Sequence, residues 1–427
     1  MKYLFFIFLI ITIIYVVLSK RRVDFFLIST FSILVYYYPA LIGKIYRTNG
    51  DVTISFDTYL CIILYTISLL YYMIINDKCD LSVHKNKLKK VSVNTDSLDV
   101  INNYSIIILD IIGIFLLIYT VGKYGDVRHG FNKMQLLSNA NRFTEYLKYI
   151  ALFTFVCSFI SIGKGSRIAK VLSAILLGYT FILGHRSFVV IGFISVIFQK
   201  IESEEEVVLF SYIRKHKKAI LITITLAVVV LFIKGVFSAL ITGQYDLVKT
   251  RLEDPEYYKT ALLSSEANTI TYNLQRVCES DLRYSFSQYL LGSVYLIPFL
   301  GGKIGTWFEY TSFERILNLS FNSRLNEGIG LGSTYLGEAY AVGGVLFVIF
   351  QSWIAFIIMS WLMRMRKKGV TKGSNALCLI ILSYFSFYIH RNSLIFLLIT
   401  ARAFLYIFAL YIIIQKMLTE IMSHDVK

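Results

Sequence analysis

The chain is dominated by apolar blocks close to the length of a bilayer-crossing helix, and this feature decides its solvent. A helix rising 1.5 Å per residue needs about 20 apolar residues to cross roughly 30 Å of hydrocarbon. Such blocks recur at about 3–19, 24–43, 57–75, 103–121, 147–163, 168–184, 187–201, 219–240, 336–363, 375–389 and 393–414. Backbone groups inside hydrocarbon find no water, so each block must satisfy its own hydrogen bonds as a helix. Composition points the same way. The chain is 56% hydrophobic and 16% charged, whereas soluble chains run near 45–50% and 25%. The expected fold is an all-α polytopic integral membrane protein with about eleven transmembrane helices. Of the three prolines, Pro39 and Pro298 lie near ends of apolar runs and Pro255 lies in a polar stretch, so few spans should be kinked.

A net charge of +16 would suit a nucleic-acid binder, but its distribution does not. The positive residues fall in short clusters between apolar blocks: Lys20 to Arg22, Lys85 to Lys90, Lys164 to Lys170, Arg214 to Lys218 and Arg364 to Lys368. These occupy every second connection, which is the positive-inside pattern. They place the N terminus outside and the C terminus inside. No nucleic-acid partner is expected. The first block is too long for a signal peptide, has no small-residue cleavage site, and is followed by positive charge, so it reads as a retained span. The five cysteines are scattered, with neither a metal-type pair nor a disulfide framework, and no metal or cofactor is expected.

Three regions follow. Residues 1–240 hold about eight spans, 241–335 form a large extracytoplasmic stretch, and 336–427 hold about three spans. The outer face also receives a loop near 122–146 and two tight turns, at Arg186 and Arg391. Within the long stretch, Asp254-Pro255-Glu256 reads as an N-cap, a first-turn proline and an acidic first turn, with a helix continuing through Val277. Residues 286–300 are apolar but short, an interfacial or re-entrant helix.

Candidate chemistry gathers on that outer face. His185-Arg186-Ser187 and His390-Arg391-Asn392-Ser393 repeat one pattern in two tight membrane turns. Each arginine alone is as readily explained by snorkelling to headgroups. Two on one face suit bidentate recognition of phosphate. Arg276, Arg283 and Arg324, together with Arg251 and Arg315, add positive charge to the long stretch. The bland reading is a solvated surface. Arg276 and Arg283 share a face if their segment is helical. The run from Asn322 to Tyr340 (NSRLNEGIGLGSTYLGEAY) leads through Ser333 or Thr334 as N-cap into the next span. Free N–H groups there favour an anion, but no strand precedes the glycines, so this is no dinucleotide fingerprint. Glu338 sits in the first turn, where it either complements the helix dipole or serves as a partly buried base. Arg402 and Lys234 fall within spans. Arg402 lies eleven residues after Arg391, close to three turns, so one continuous helix would carry both on one side, about 16 Å apart.

With its many spans, single large external stretch, G-E-x-Y helix start (Gly337, Glu338, Tyr340) and arginine at the outer turn of the last helix pair, the chain resembles the Wzy-type oligosaccharide repeat-unit polymerases. The architecture matches over most of the chain, and the motifs over about 322–345 and the Arg186 and Arg391 turns. An arginine-to-glycine pattern described for some of these polymerases has no clear copy here. The resemblance implies the membrane glycosyltransferase fold shared with O-antigen ligases, in a bacterial inner membrane. It implies a metal-independent, inverting transfer that joins undecaprenyl-pyrophosphate-linked repeat units into O-antigen or a related polysaccharide. Glu338, then His185 and His390, would be candidate bases. Arg186, Arg391, Arg276, Arg283, Arg324, Arg402 and Tyr340 would bind the lipid pyrophosphate or glycan. Implied partners are membrane lipid, a chain-length regulator and a repeat-unit flippase. The alternatives are a ligase using lipid A core as acceptor, or a flippase-type transporter.

Overall fold

A computed structural model describes residues 1–18, 24–46, 50–83, 95–124, 142–161, 165–183, 185–203, 243–257, 266–280, 282–294, 307–321, 333–367 and 371–424, with isolated positions 214, 217, 236, 239 and 297. The basic clusters at 20–22 and 85–90, Lys164, Lys234, most of the 219–240 block, Arg324 and the glycine-rich run 322–332 lie outside the described residues.

The protein is an all-α membrane protein, its described residues 88% helical. Its helices are α1 (Lys2–Leu18), α2 (Phe25–Tyr36), α3 (Tyr38–Ile42), α4 (Phe56–Val83), α5 (Thr95–Tyr124), α6 (Arg142–Ile160), α7 (Ser166–Ile182), α8 (Arg186–Ser203), α9 (Tyr245–Glu253), α10 (Glu266–Glu279), α11 (Phe286–Val294), α12 (Phe313–Phe321), α13 (Tyr335–Lys367), α14 (Lys372–Phe387) and α15 (Leu394–His424). A two-residue antiparallel ribbon pairs β1 (Lys44–Ile45) with β2 (Val52–Thr53).

Among the described residues, four helices are long and apolar enough to cross a membrane: Phe56–Asn76, Asp99–Lys123, Tyr335–Arg366 and Leu394–Ser423. That is fewer than the blocks in the sequence. Several blocks fold into shorter helices, such as α1 and α7 at 17 residues each. The 24–43 block is interrupted at Tyr37, where Pro39 enters the first turn of α3, because proline cannot continue the ladder of α2. At nine residues, α11 is about 13 Å long and too short to span. Asp254 accepts the Glu256 N–H at 2.9 Å, as an N-cap should.

The chain forms two compact units. The first comprises Met1–Val83, Glu205–Met359 and Phe385–Ile399; the second comprises His84–Glu204, Ser360–Tyr384 and Thr400–Lys427. In the first, α10 packs on α2, α3, α4 and β1. Asn268 donates to the Tyr38 hydroxyl at 3.1 Å and Gln275 to the Thr53 carbonyl at 2.9 Å. Lys2 donates to Ile42 at 2.8 Å. All these groups belong to ends that the charge alternation places outside. In the second unit, Lys372 pairs with Asp99, Arg366 donates to Asn375 at 2.8 Å and to Gln199 at 3.2 Å. These belong to ends that the alternation places inside. Helices α5 to α8 pack closely there: a Cβ on Gly192 would meet Leu152, Phe155 and Leu177 at 3.1–3.3 Å, the small-residue contact usual between membrane helices.

The block at 336–363 is not one straight helix. Gly343 and Gly344 leave helical geometry, Gly344 with φ +64° and ψ −153°. Beyond them the chain reverses. The Tyr335 hydroxyl donates to the Gln351 carbonyl at 2.6 Å, and the Gln351 amide donates back to the Tyr335 carbonyl at 3.3 Å. A straight helix would hold these residues about 24 Å apart. Residues 335–342 are therefore a short buried helix folded against 345–367.

Candidate functional site

The two arms of this hairpin, α2, α4 and the turn between α14 and α15 enclose a polar cluster in the first unit. The turn is a 3-10 segment, Ile389–Arg391. The His390 ring lies 4.9 Å from the rings of Tyr37 and Tyr65 and 5.8 Å from that of Tyr36.

His390 is fully buried, and burial drives its imidazole pKa down to about 3, so it is neutral near pH 7. Its tautomer follows from its neighbour. The single Ser32 hydroxyl hydrogen goes to the Ser29 carbonyl at 2.8 Å. With the hydroxyl hydrogen so placed, the 3.1 Å contact between Nε2 and Ser32 Oγ is made by a hydrogen on Nε2. Nδ1 is left as a bare acceptor, and it has no hydrogen-bond partner. The Tyr65 hydroxyl, Ser333 Oγ and Gln351 Oε1 are likewise buried without partners.

Glu338 is 1% exposed. Its Oε2 accepts the Leu394 N–H at 2.7 Å and the Gln351 amide at 3.2 Å. It therefore complements the N terminus of α15 rather than that of its own helix. Thr334, not Ser333, caps its own helix, accepting the Gly337 N–H at 3.5 Å.

Arg391 pairs with Glu266 on α10 and lies 5.4 Å from the Tyr388 ring centre. Its charge also acts on Glu314, pulling against the burial that raises that carboxyl. Its charge is thus answered by carboxylates, not left open to an anion. Arg276 stacks on Tyr272 and Phe321 at 4.6 and 5.2 Å and donates to the Phe321 carbonyl at 3.0 Å, joining α10 to α12. Arg283 is exposed and lies past the end of α10 at Glu279, so the expected shared helical face with Arg276 does not exist. Tyr340 approaches Asp57 at 3.5 Å.

His185, Arg186 and Arg402 belong to the second unit. His185 sits edge-on to Phe188 at 5.9 Å, and Arg186 opens α8, half-buried. Arg402 lies 5.9 Å from the Tyr406 ring centre, its buried Nε without a partner. The expected register between Arg391 and Arg402 fails: Arg391 ends a 3-10 turn and α15 starts only at Leu394.

Sequence reasoning missed Ser32, Tyr65, Gln351 and Glu266. A polar residue in mid-block was the available signal for Gln351. The contact between the Cys61 and Cys278 thiols had no signal, since 217 residues of sequence separate them. Among the described residues, no group of three or more His, Cys, Asp or Glu side chains is placed to hold a metal. No family model, no curated protein and no solved structure matches the chain.

Proposed function

We propose that the protein is a membrane glycosyltransferase of the polysaccharide-polymerase type, acting on glycans carried by a lipid pyrophosphate. In this reading it spans a bacterial inner membrane about eleven times, N terminus outside. The supporting observation is the bare Nδ1 of a neutral histidine, His390, enclosed one residue from an arginine under the large extracytoplasmic stretch. In the closed cluster burial holds that imidazole against protonation, and opening of the cluster to substrate returns it toward its ordinary basicity, which makes it a competent general base. It takes the proton of the acceptor sugar hydroxyl, whose oxygen bonds to the donor's anomeric carbon. The bond from that carbon to the lipid pyrophosphate breaks, and its electron pair leaves with the pyrophosphate. Stabilising that charge falls to arginine, the role of preorganised electrostatics.

The cluster is closed as it stands, with His390 0% exposed. Arg391 supplies a way to open it. If donor pyrophosphate replaces Glu266 on Arg391, α10 loses an anchor to the turn beside His390. Arg276, Arg283, Arg324, Arg186 and Arg402 are further donor-binding proposals, and Tyr340 a glycan contact. Deletion of the gene followed by a surface-polysaccharide gel tests the reading. Polymer should collapse to single repeat units, wild type should restore it, and His390→Gln should not. An unchanged length distribution after deletion overturns it.

A further inference from the structure

Cys61 and Cys278 are 217 residues apart in sequence, yet the first unit brings their thiols into hydrogen-bond contact. Contacts on either side hold that register. Helix α10 packs on α4. Gln275, one turn before Cys278, donates to the Thr53 carbonyl at 2.9 Å, just ahead of the start of α4 at Phe56. It also donates to Glu279, the residue after Cys278, at 2.7 Å. Both thiols lie close enough to act on the hydroxyls of Tyr37 and Tyr340. Cys61 is five residues into α4, about 8 Å from its start, so the pair sits near the end of that span and not at mid-membrane. Cys61 is buried and Cys278 is partly exposed, whereas Cys157 and Cys378 are buried in the second unit.

Two thiols in contact across two helices become a disulfide once an oxidant reaches one of them, and exposure decides which. A molecule carrying a disulfide reaches Cys278 and not Cys61. The Cys278 thiolate attacks one sulfur of that disulfide and expels the other half as a thiolate. The Cys61 thiolate then attacks Cys278 Sγ and expels the second half, leaving a bond between Cys61 and Cys278. Two protein thiols are oxidised, one external disulfide is reduced to two thiols, and the two protons pass to them.

We propose that Cys61 and Cys278 form a disulfide, made by exchange with an external disulfide, that fastens the C-terminal end of α10 to the start of α4. Glu266 lies twelve residues from Cys278 on the same helix, about 18 Å away, so the bond fixes the end of α10 remote from Arg391. Its formation in the cell rests on the orientation proposed above, which puts this end of α4 in an extracytoplasmic, oxidising space. The pairing of the thiols does not.

The full chain, purified in detergent, is reduced, freed of reductant and incubated with glutathione disulfide, then unfolded, alkylated, digested and mapped by mass. Linked Cys61–Cys278 peptides should replace the alkylated ones, and dithiothreitol should reverse this. Cys61→Ser should instead retain glutathione on Cys278, because the resolving thiol is gone. Glutathione left on Cys278 of the wild type, or both thiols still alkylated after the incubation, overturns the proposal. The same mapping on acid-quenched cells separates pairing from orientation. Linked peptides there support both. Alkylated thiols there, with linkage in the purified chain, place this end of α4 in a reducing compartment and overturn the orientation, while the linkage still supports the pair.

Discussion

Glu338 and His390 were both visible as candidates, but only their surroundings separate their roles. The Glu338 carboxylate holds a buried backbone N–H at the start of α15. Leaving such a donor unsatisfied costs about 1–3 kcal/mol. Glu338→Ala should lose stability of that order in thermal unfolding of the purified protein. Glu338→Gln should change little, because an amide oxygen in the place of Oε2 still accepts from both Leu394 and Gln351. Normal polymerisation by Glu338→Gln would then exclude a base role for Glu338. His390 gives a pH dependence of known sign. Its folded pKa is depressed from 6.5 to about 3, so the unfolded chain binds a proton that the folded chain refuses. Its contribution is complete above about pH 6.5 and is lost as pH falls toward 3, at up to roughly 1.4 kcal/mol per unit. Replacement by Gln should flatten that slope in unfolding followed from pH 7 to 5, and an unaltered slope would mean the ring is solvated. The sequence displayed His390, Arg391 and Glu338 because polar residues stand out against apolar blocks. It could not display Glu266 as the partner of Arg391, since 125 residues separate them and no local pattern links an external helix to a membrane turn.

At the scale of elements, legibility followed the kind of signal involved. Every apolar block other than 219–240 falls on a described helix, because a run of that length admits one solution in hydrocarbon. The reversal at Gly343–Gly344 was hidden, since apolar sequence continues through it and a hairpin of two apolar helices has the hydropathy of one. The two glycines were the available sign. Their effects should differ on substitution. A Cβ on Gly344 meets nothing within 4 Å, but its φ of +64° with ψ of −153° is a combination nearly reserved to glycine, so Gly344→Ala should cost about 1–3 kcal/mol in backbone strain alone. A Cβ on Gly343 meets Phe347 Cβ at 3.0 Å, so Gly343→Ala should add a steric cost. Thermal unfolding of both variants checks the assignment: the loss at 344 should persist in Gly344→Asn, since this region does not accept the residues that tolerate the left-handed helical one, and an unchanged midpoint in Gly344→Ala would mean the turn is not held in this conformation.

At the scale of the whole molecule, what the sequence offers is a rule about sides, and the contacts named above within each unit join ends to which that rule gives one side. In the first unit the joined ends are those of α1, α3, β2 and the stretch 241–335; in the second they are those of α5, α8, α13 and α14. The contacts fix which ends share a face but not which face is the cytoplasm; that rests on the lysine and arginine clusters alone. Cysteine labelling separates the two. Arg315 is exposed on α12 and Arg364 is exposed near the end of α13. Placed singly in a background freed of the five native cysteines, Arg315→Cys should react with a membrane-impermeant maleimide in intact cells. Arg364→Cys should react only after the membrane is opened. Reversal of both results would keep the grouping of ends and invert the protein, moving the His390 cluster to the inner side and removing it from any extracytoplasmic glycan. Labelling of both from outside would break the grouping itself, and with it the packing of α10 over the turn that carries Arg391.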